Sequence, residues 1–151
     1  MLTFRCSSCG AFTEIPEKRR GTHAACRRCR APLDLAGSPQ RVGARSFAEA
    51  VHECPSVLVV DFARRVAGDA EEAAALKRLA ESQPGEAVFL ELDAVEEPQP
   101  AADARVDRLP TRIAFSDRGE VARVEGAHTE PELQRWLTGA TAGSHHDPSG
   151  A

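Results

Sequence analysis

Four cysteines carry the most specific chemical signal in the sequence. Cys6 and Cys9, then Cys26 and Cys29, form two C-x2-C pairs separated by sixteen residues, within the spacing of roughly 15–20 found in zinc sites. A C-x2-C turn brings two sulfurs to one ion, and two such turns complete a tetrahedron with Zn–S near ~2.3 Å. Thiolates are soft donors and favour Zn²⁺ over Mg²⁺ or Ca²⁺. Four protein ligands leave no open coordination position, so the expectation is one structural Zn²⁺ rather than a hydrolytic site. Two disulfides or an iron–sulfur centre would use the same four residues; the disulfides require an oxidising compartment. Arg5, Arg27, Arg28 and Arg30 flank the pairs. They offset the net −2 of four thiolates and one Zn²⁺, and the same residues also read as solvated surface. His23 reads as a surface histidine, and His145-His146 as a solvated pair.

The fifth cysteine, Cys54, stands alone and reads as a buried structural thiol. Asp61 lies at the end of an apolar run, where a carboxylate can cap backbone donors. Asp69 precedes a helical pattern and reads as its N-cap.

The elements around these residues follow from pattern. The chain has 151 residues, 42% of them hydrophobic and 28% charged, which is one ordinary globular domain in size. Residues 1–45 hold nine Arg/Lys against three Asp/Glu, and the remainder ten against twenty. A basic head on an acidic body predicts two units. No apolar run approaches the ~18 residues of a membrane span, and the first residues lack the apolar core of a secretory signal, so a cytoplasmic, non-membrane protein is expected. In the head, Phe4, Phe12, Ile15 and Leu33 are too few for an independent core. Metal binding should supply most of its folding free energy, on the order of 10 kcal/mol.

Residues 37–45 read as a linker. Ser46 and Glu49 form an S-x-x-E capping box for a helix ending near Glu53. Val57–Phe62 is a strand apolar on both faces. Asp69 and Glu72 open a second helix carried by Ala73–Leu79. Ala87–Leu92 is a second strand, after which Pro98 and Pro100 interrupt, leaving a helical turn over Ala101–Arg105. Arg112–Ser116 and Glu120–Val124 form a hairpin about Asp117-Arg118-Gly119. Thr129 and Glu132 cap a last helix through Leu137, and residues 139–151 read as a disordered tail. The order predicts an α/β fold with a central mixed sheet flanked by helices.

Taken together, the paired cysteines, Val57-Leu58-Val59-Val60-Asp61-Phe62, Leu109-Pro110-Thr111, the hairpin with Gly119, and Trp136-Leu137 resemble the zinc-ribbon thioredoxins of bacteria, the thioredoxin 2 family, over roughly residues 4–138. The resemblance implies a zinc ribbon over 1–36 and a thioredoxin-like domain over 46–138. Family members carry W-C-G-P-C after the Asp-Phe strand. This sequence has Val66-Ala67-Gly68-Asp69-Ala70, so both redox cysteine positions are alanine. Dithiol exchange needs an attacking thiolate and a resolving thiol, and alanine supplies neither. Asp61 matches the family's buried carboxylate, left without a cysteine pair to tune. Pro110 matches its cis-proline, beside which the backbone of the preceding residue, here Leu109, pairs with an extended substrate. Such pairing requires no cysteine.

The expected function is therefore a redox-inactive binding or adaptor module for a protein or peptide, with Leu109, Pro110 and Thr111 as its groove and no catalytic residue. Two other readings stand beside it. One is an atypical oxidoreductase or redox switch using the ribbon thiols or Cys54. The other is nucleic-acid binding through the basic head, which would weaken steeply with salt.

Overall fold

The computed structural model describes residues 1–19, 22–64 and 70–144. The chain opens on an antiparallel hairpin, β1 (Leu2–Arg5) and β2 (Phe12–Ile15), with Leu2 opposite Ile15 and Arg5 opposite Phe12. Side chains alternate along a strand, so Leu2, Phe4 and Ile15 share one face. They form a small apolar cluster closed by Ala24, Leu33 and Leu35. Phe12 points the other way and joins the core of the body. The apolar set expected for the head is thus divided between two cores.

A five-stranded mixed sheet follows, in the order β3 (Gln40–Arg41), β5 (Val88–Asp93), β4 (Leu58–Ala63), β6 (Thr111–Ser116), β7 (Gly119–Glu125). The first three strands are parallel, and β6 and β7 are antiparallel to their neighbours. Central β4 is apolar on both faces because both are covered. Leu58, Val60 and Phe62 pack beneath α1 (Ala44–Glu53) and α3 (Pro98–Asp103), where Phe47 meets Phe62 and Phe115 edge-on. Val57 and Val59 pack beneath α2 (Ala70–Ser82) and α4 (Glu130–Ser144), against Leu76, Leu79, Leu133 and Leu137. Among the described residues no helix is long and apolar enough to cross a membrane.

Several boundaries differ from expectation for identifiable reasons. The expected linker contributes β3 and the start of α1. Val42 N–H donates to the Glu91 carbonyl at 3.0 Å, and the chain then turns at Gly43 directly into the helix. Gly43 is the N-cap with no side-chain cap bond, so the Ser46 box does not form. Glu49 instead lies 3.5 Å from Arg45, one helical turn back. Pro98 and Pro100 begin α3 rather than interrupting it, since a first-turn proline lacks only an N–H that would be unpaired anyway. The Thr129 box forms as expected: Thr129 N–H donates to Glu132 Oε1 at 3.0 Å, and Glu132 N–H to Thr129 Oγ1 at 3.3 Å. The last helix continues through Ser144, because Ala140 is buried against the α2 side of the core. The tail expected from 139 is therefore helical that far; His145 and His146 lie outside the described residues.

The head is docked on the body. Thr3 N–H donates to the Gly85 carbonyl at 2.9 Å. Gly85 has φ +84°, and a Cβ there would stand 2.7 Å from Leu2 Cβ and 2.9 Å from the Phe4 ring, so this approach requires glycine. Arg5 donates through Nη1 to Gln40 Oε1 at 2.7 Å, and Gln40 Nε2 donates back to the Arg5 carbonyl at 2.8 Å.

Candidate metal centre and groove

Each C-x2-C pair lies on a tight turn of the same design. Cys6 N–H donates to the Ala11 carbonyl at 2.8 Å and Gly10 N–H to the Cys6 carbonyl at 2.8 Å. In the second turn, Cys26 N–H donates to the Ala31 carbonyl at 2.8 Å and Arg30 N–H to the Cys26 carbonyl at 3.0 Å. Both turns close through a left-handed residue, Gly10 at φ +82° and Arg30 at φ +69°. The repeated turn faces the two pairs toward each other. All four Sγ atoms lie within 4.8 Å of one another, with Cys6 to Cys29 and Cys9 to Cys26 each at 3.6 Å.

These separations suit one ion. A tetrahedron with metal–sulfur bonds of about 2.3 Å has sulfur–sulfur edges near ~3.8 Å, whereas a disulfide needs about 2.05 Å. All five cysteines are free thiols. Cys6 and Cys26 are buried and Cys29 is exposed, so the cluster has an outer and an inner side. Electrostatics divide the cluster: the Ala31 backbone N–H favours the Cys29 thiolate, but burial and hydrogen bonds with the Cys6, Cys9 and Cys26 sulfurs push that thiol up to about 11, whereas Cys26 and Cys9 are lowered. The Cys29 N–H, with the Arg28 N–H, directs hydrogen bonds to Cys26 Sγ and holds that thiol down to about 6. The Ala11 backbone N–H likewise lowers Cys9. Arg28 also donates to the Cys9 carbonyl at 2.6 Å and bridges the two turns. Arg27 donates to the Phe12 carbonyl at 2.8 Å. Two of the flanking arginines are thus structural ties between the second turn and the hairpin. His23 is exposed and outside the cluster. The donor set, the distances and the N–H···S bonds together make a site able to bind a metal ion.

The second candidate region lies at the opposite end of the sheet. Leu109-Pro110 is a cis peptide bond, placed just before β6. Thr111 is fully buried and donates through Oγ1 to the Arg108 carbonyl at 2.5 Å. The Pro110 carbonyl accepts from Gly126 N–H at 2.7 Å. Pro110 borders a cavity of about 480 Å³ that also includes Asp61, Ala70, Glu72 and Arg112. Of the replaced redox segment, Ala70 is the first residue of α2. Val66, Ala67, Gly68 and Asp69 lie outside the described residues.

Asp61, expected as a strand-end cap, sits within β4 and is buried. Its Oδ1 accepts from Arg112 Nε–H at 2.9 Å, and Arg112 Nη2 lies 3.2 Å from Glu72 Oε2. Burial pushes Asp61 up to about 6, against the pull of the Arg112 charge. Sequence reasoning missed Arg112 and Glu72 as members of this site. The available signal was a lone arginine in the apolar strand Thr111-Arg112-Ile113-Ala114-Phe115, matched by a lone aspartate in Val59-Val60-Asp61-Phe62. Cys54 is the C-cap of α1, buried in the core on the α1 face. Burial pushes its thiol up, which disfavours the nucleophilic thiolate.

The relatives agree with this architecture. The chain is 28% identical over 132 residues to Thioredoxin C-3 of Corynebacterium nephridii, covering 87% of this chain and 90% of that protein. A match of that length cannot fit within residues 39–151 and takes in part of the cysteine-bearing head. Among solved structures, a mutant thioredoxin from Halobacterium salinarum superposes with a TM-score of 0.63 at 22% identity, covering 72% of this chain and 95% of that one. The Malassezia sympodialis thioredoxin Mala s 13 gives 0.61 at 24%, covering 70% and 93%. At these identities the two structures establish the fold. The Thioredoxin family model matches residues 39–139, from the edge strand to the last helix, and the chain belongs to the thioredoxin family.

Proposed function

We propose that this chain is a zinc-holding, redox-inactive thioredoxin of the zinc-ribbon (thioredoxin 2-like) kind, acting as a binding or adaptor module for an extended protein or peptide segment. On this reading residues 1–36 are the ribbon and 46–138 the thioredoxin-like domain. Cys6, Cys9, Cys26 and Cys29 hold one structural Zn²⁺, which when bound supplies a fixed tetrahedral crosslink. Arg28 and the backbone N–H groups of Arg28 and Cys29 hold the ligands in place.

One observation carries the functional reading. Pro110 borders a cavity of about 480 Å³ in a chain with alanine at both positions, 67 and 70, where the family keeps its dithiol. Among the described residues the Leu109 N–H and C=O have no hydrogen-bond partner, so an added strand can pair with them. β-augmentation needs only backbone groups, and it survives loss of the chemistry. Cys54 does not replace the dithiol, being buried and lacking a second thiol beside it.

The test is a titration of isotope-labelled, zinc-loaded full chain with capped extended peptides. Shift changes centred on Leu109, Thr111 and Arg112, unaltered in Cys54→Ala, are expected. Spectra indifferent to every peptide, or a mixed disulfide trapped on any of the five cysteines, would overturn the reading.

A further inference from the structure

The backbone around Leu109 is held on both sides. Thr111 Oγ1 donates to the Arg108 carbonyl at 2.5 Å. Gly126 N–H donates to the Pro110 carbonyl at 2.7 Å, and His128 Nδ1 lies 2.9 Å from the Gly126 carbonyl. Gly126 has φ +83°, a left-handed conformation that favours glycine. Its bare backbone forms a bed for Arg108. Both Cδ and Nη1 of that arginine lie 3.6 Å from the point where a Cβ on Gly126 would stand. The stem of Arg108 thus rests across Gly126, with the guanidinium beside the segment that carries the free Leu109 backbone groups.

Arg108 is exposed, and among the described residues its guanidinium has no hydrogen-bond or ion-pair partner. The other arginines around the groove are occupied. Arg112 holds Asp61 and Glu72, and Arg78 holds Glu130. Arg123 holds Glu120 and the Ala104 and Arg105 carbonyls, with Asp107 and Glu125 in its field. Glu132 accepts from Thr129. Glu71 remains as an exposed carboxylate, but on α2, across a separate pocket lined by Ala127 and His128. The cation next to Leu109 is therefore the group left to read a bound peptide.

Side chains alternate along a strand. In a segment paired with Leu109, the residues flanking the one opposite Leu109 fall on the face of Arg108. A carboxylate matches the guanidinium fork in charge and geometry, whereas an ammonium group is repelled and an amide brings no charge. Because the stem already lies on Gly126, less side-chain freedom is lost on pairing. We propose that Arg108 is a specificity-determining residue of the groove, selecting an extended peptide with Asp or Glu next to the residue paired with Leu109. The proposal rests on the groove reading above and adds the class of peptide that the groove prefers.

The experiment measures affinities of the zinc-loaded full chain for capped extended peptides that differ at one position, carrying Glu, Gln, Leu or Lys. At low salt the Glu peptide is expected to bind about two- to fivefold tighter than the Gln peptide, the range of an exposed ion pair. The Lys peptide should bind weakest, and added salt should narrow the spread. Arg108→Gln should erase the preference for Glu over Gln. Arg118→Gln, in the turn at the far end of the β6–β7 hairpin, should leave it in place. Tightest binding by Lys overturns the assignment, as does a Glu preference that survives Arg108→Gln or is lost equally in Arg118→Gln. Equal binding of all four peptides at Leu109 overturns the role of Arg108 and leaves the groove standing. Absence of any binding overturns both.

Discussion

Arg112 and Asp61 form a buried ion pair across β6 and β4, with Nε 2.9 Å from Oδ1 and side chains 0% and 4% exposed. Burial outweighs the pairing for the carboxyl group, and Glu91 and Glu72 add to it, so Asp61 is pushed up to about 6 from 3.8. The folded chain then holds a proton that the unfolded chain has lost. This group's stabilising contribution is fully present below about pH 4 and is lost as pH rises through 6. The carboxyl carbon shift of Asp61 should titrate near 6. A midpoint near 4 contradicts the balance described.

Breaking the pair should cost more than deleting it. Arg112→Leu leaves a buried carboxylate without its donor, and a loss of roughly 3–5 kcal/mol is expected. The double variant Asp61→Leu/Arg112→Leu removes both charges and should recover most of that. Denaturant midpoints read the difference, and simple addition of two single losses contradicts it.

Gly85 sets the head on the body. Gly85→Ala imposes both a positive φ and a Cβ 2.7 Å from Leu2 Cβ, so a loss of about 1–3 kcal/mol is expected. Amide exchange should quicken selectively in β1 and β2. Unchanged protection there would contradict the docking.

Metal removal should act unevenly. Chelation is expected to release protection in the turns of residues 6–11 and 26–31 while β4 and β5 stay protected. Because Phe12 is part of the body's core, thermal stability of the body should also drop. Equal collapse of both parts would contradict this division. In Cys6→Ser, zinc content per chain should fall well below one, with the sheet retained.

Much of this was legible in the sequence, and the reasons are local. Cysteine spacing fixes the two turns because a C-x2-C loop leaves little conformational choice. Val57–Phe62 announces a central strand because burial on both faces demands continuous apolar residues. The Thr129 box is visible because its partners lie three residues apart. What stayed hidden depends on distant contacts. Two-residue β3 exists only because β5 offers it an edge, and Phe12 belongs to the body only through the docking of the hairpin. Ala140 is helical because α4 lies on the α2 side of the core. Arg112 could not be placed without knowing that β6 runs beside β4 with Asp61 opposite it.

On the proposed function the chain keeps the thioredoxin frame without dithiol exchange. The direct measurement is NADPH oxidation by a thioredoxin reductase with a protein disulfide as terminal acceptor, run with zinc-loaded chain. A rate equal to the blank at every concentration of the chain is expected. A rate that rises and saturates with added chain would contradict it.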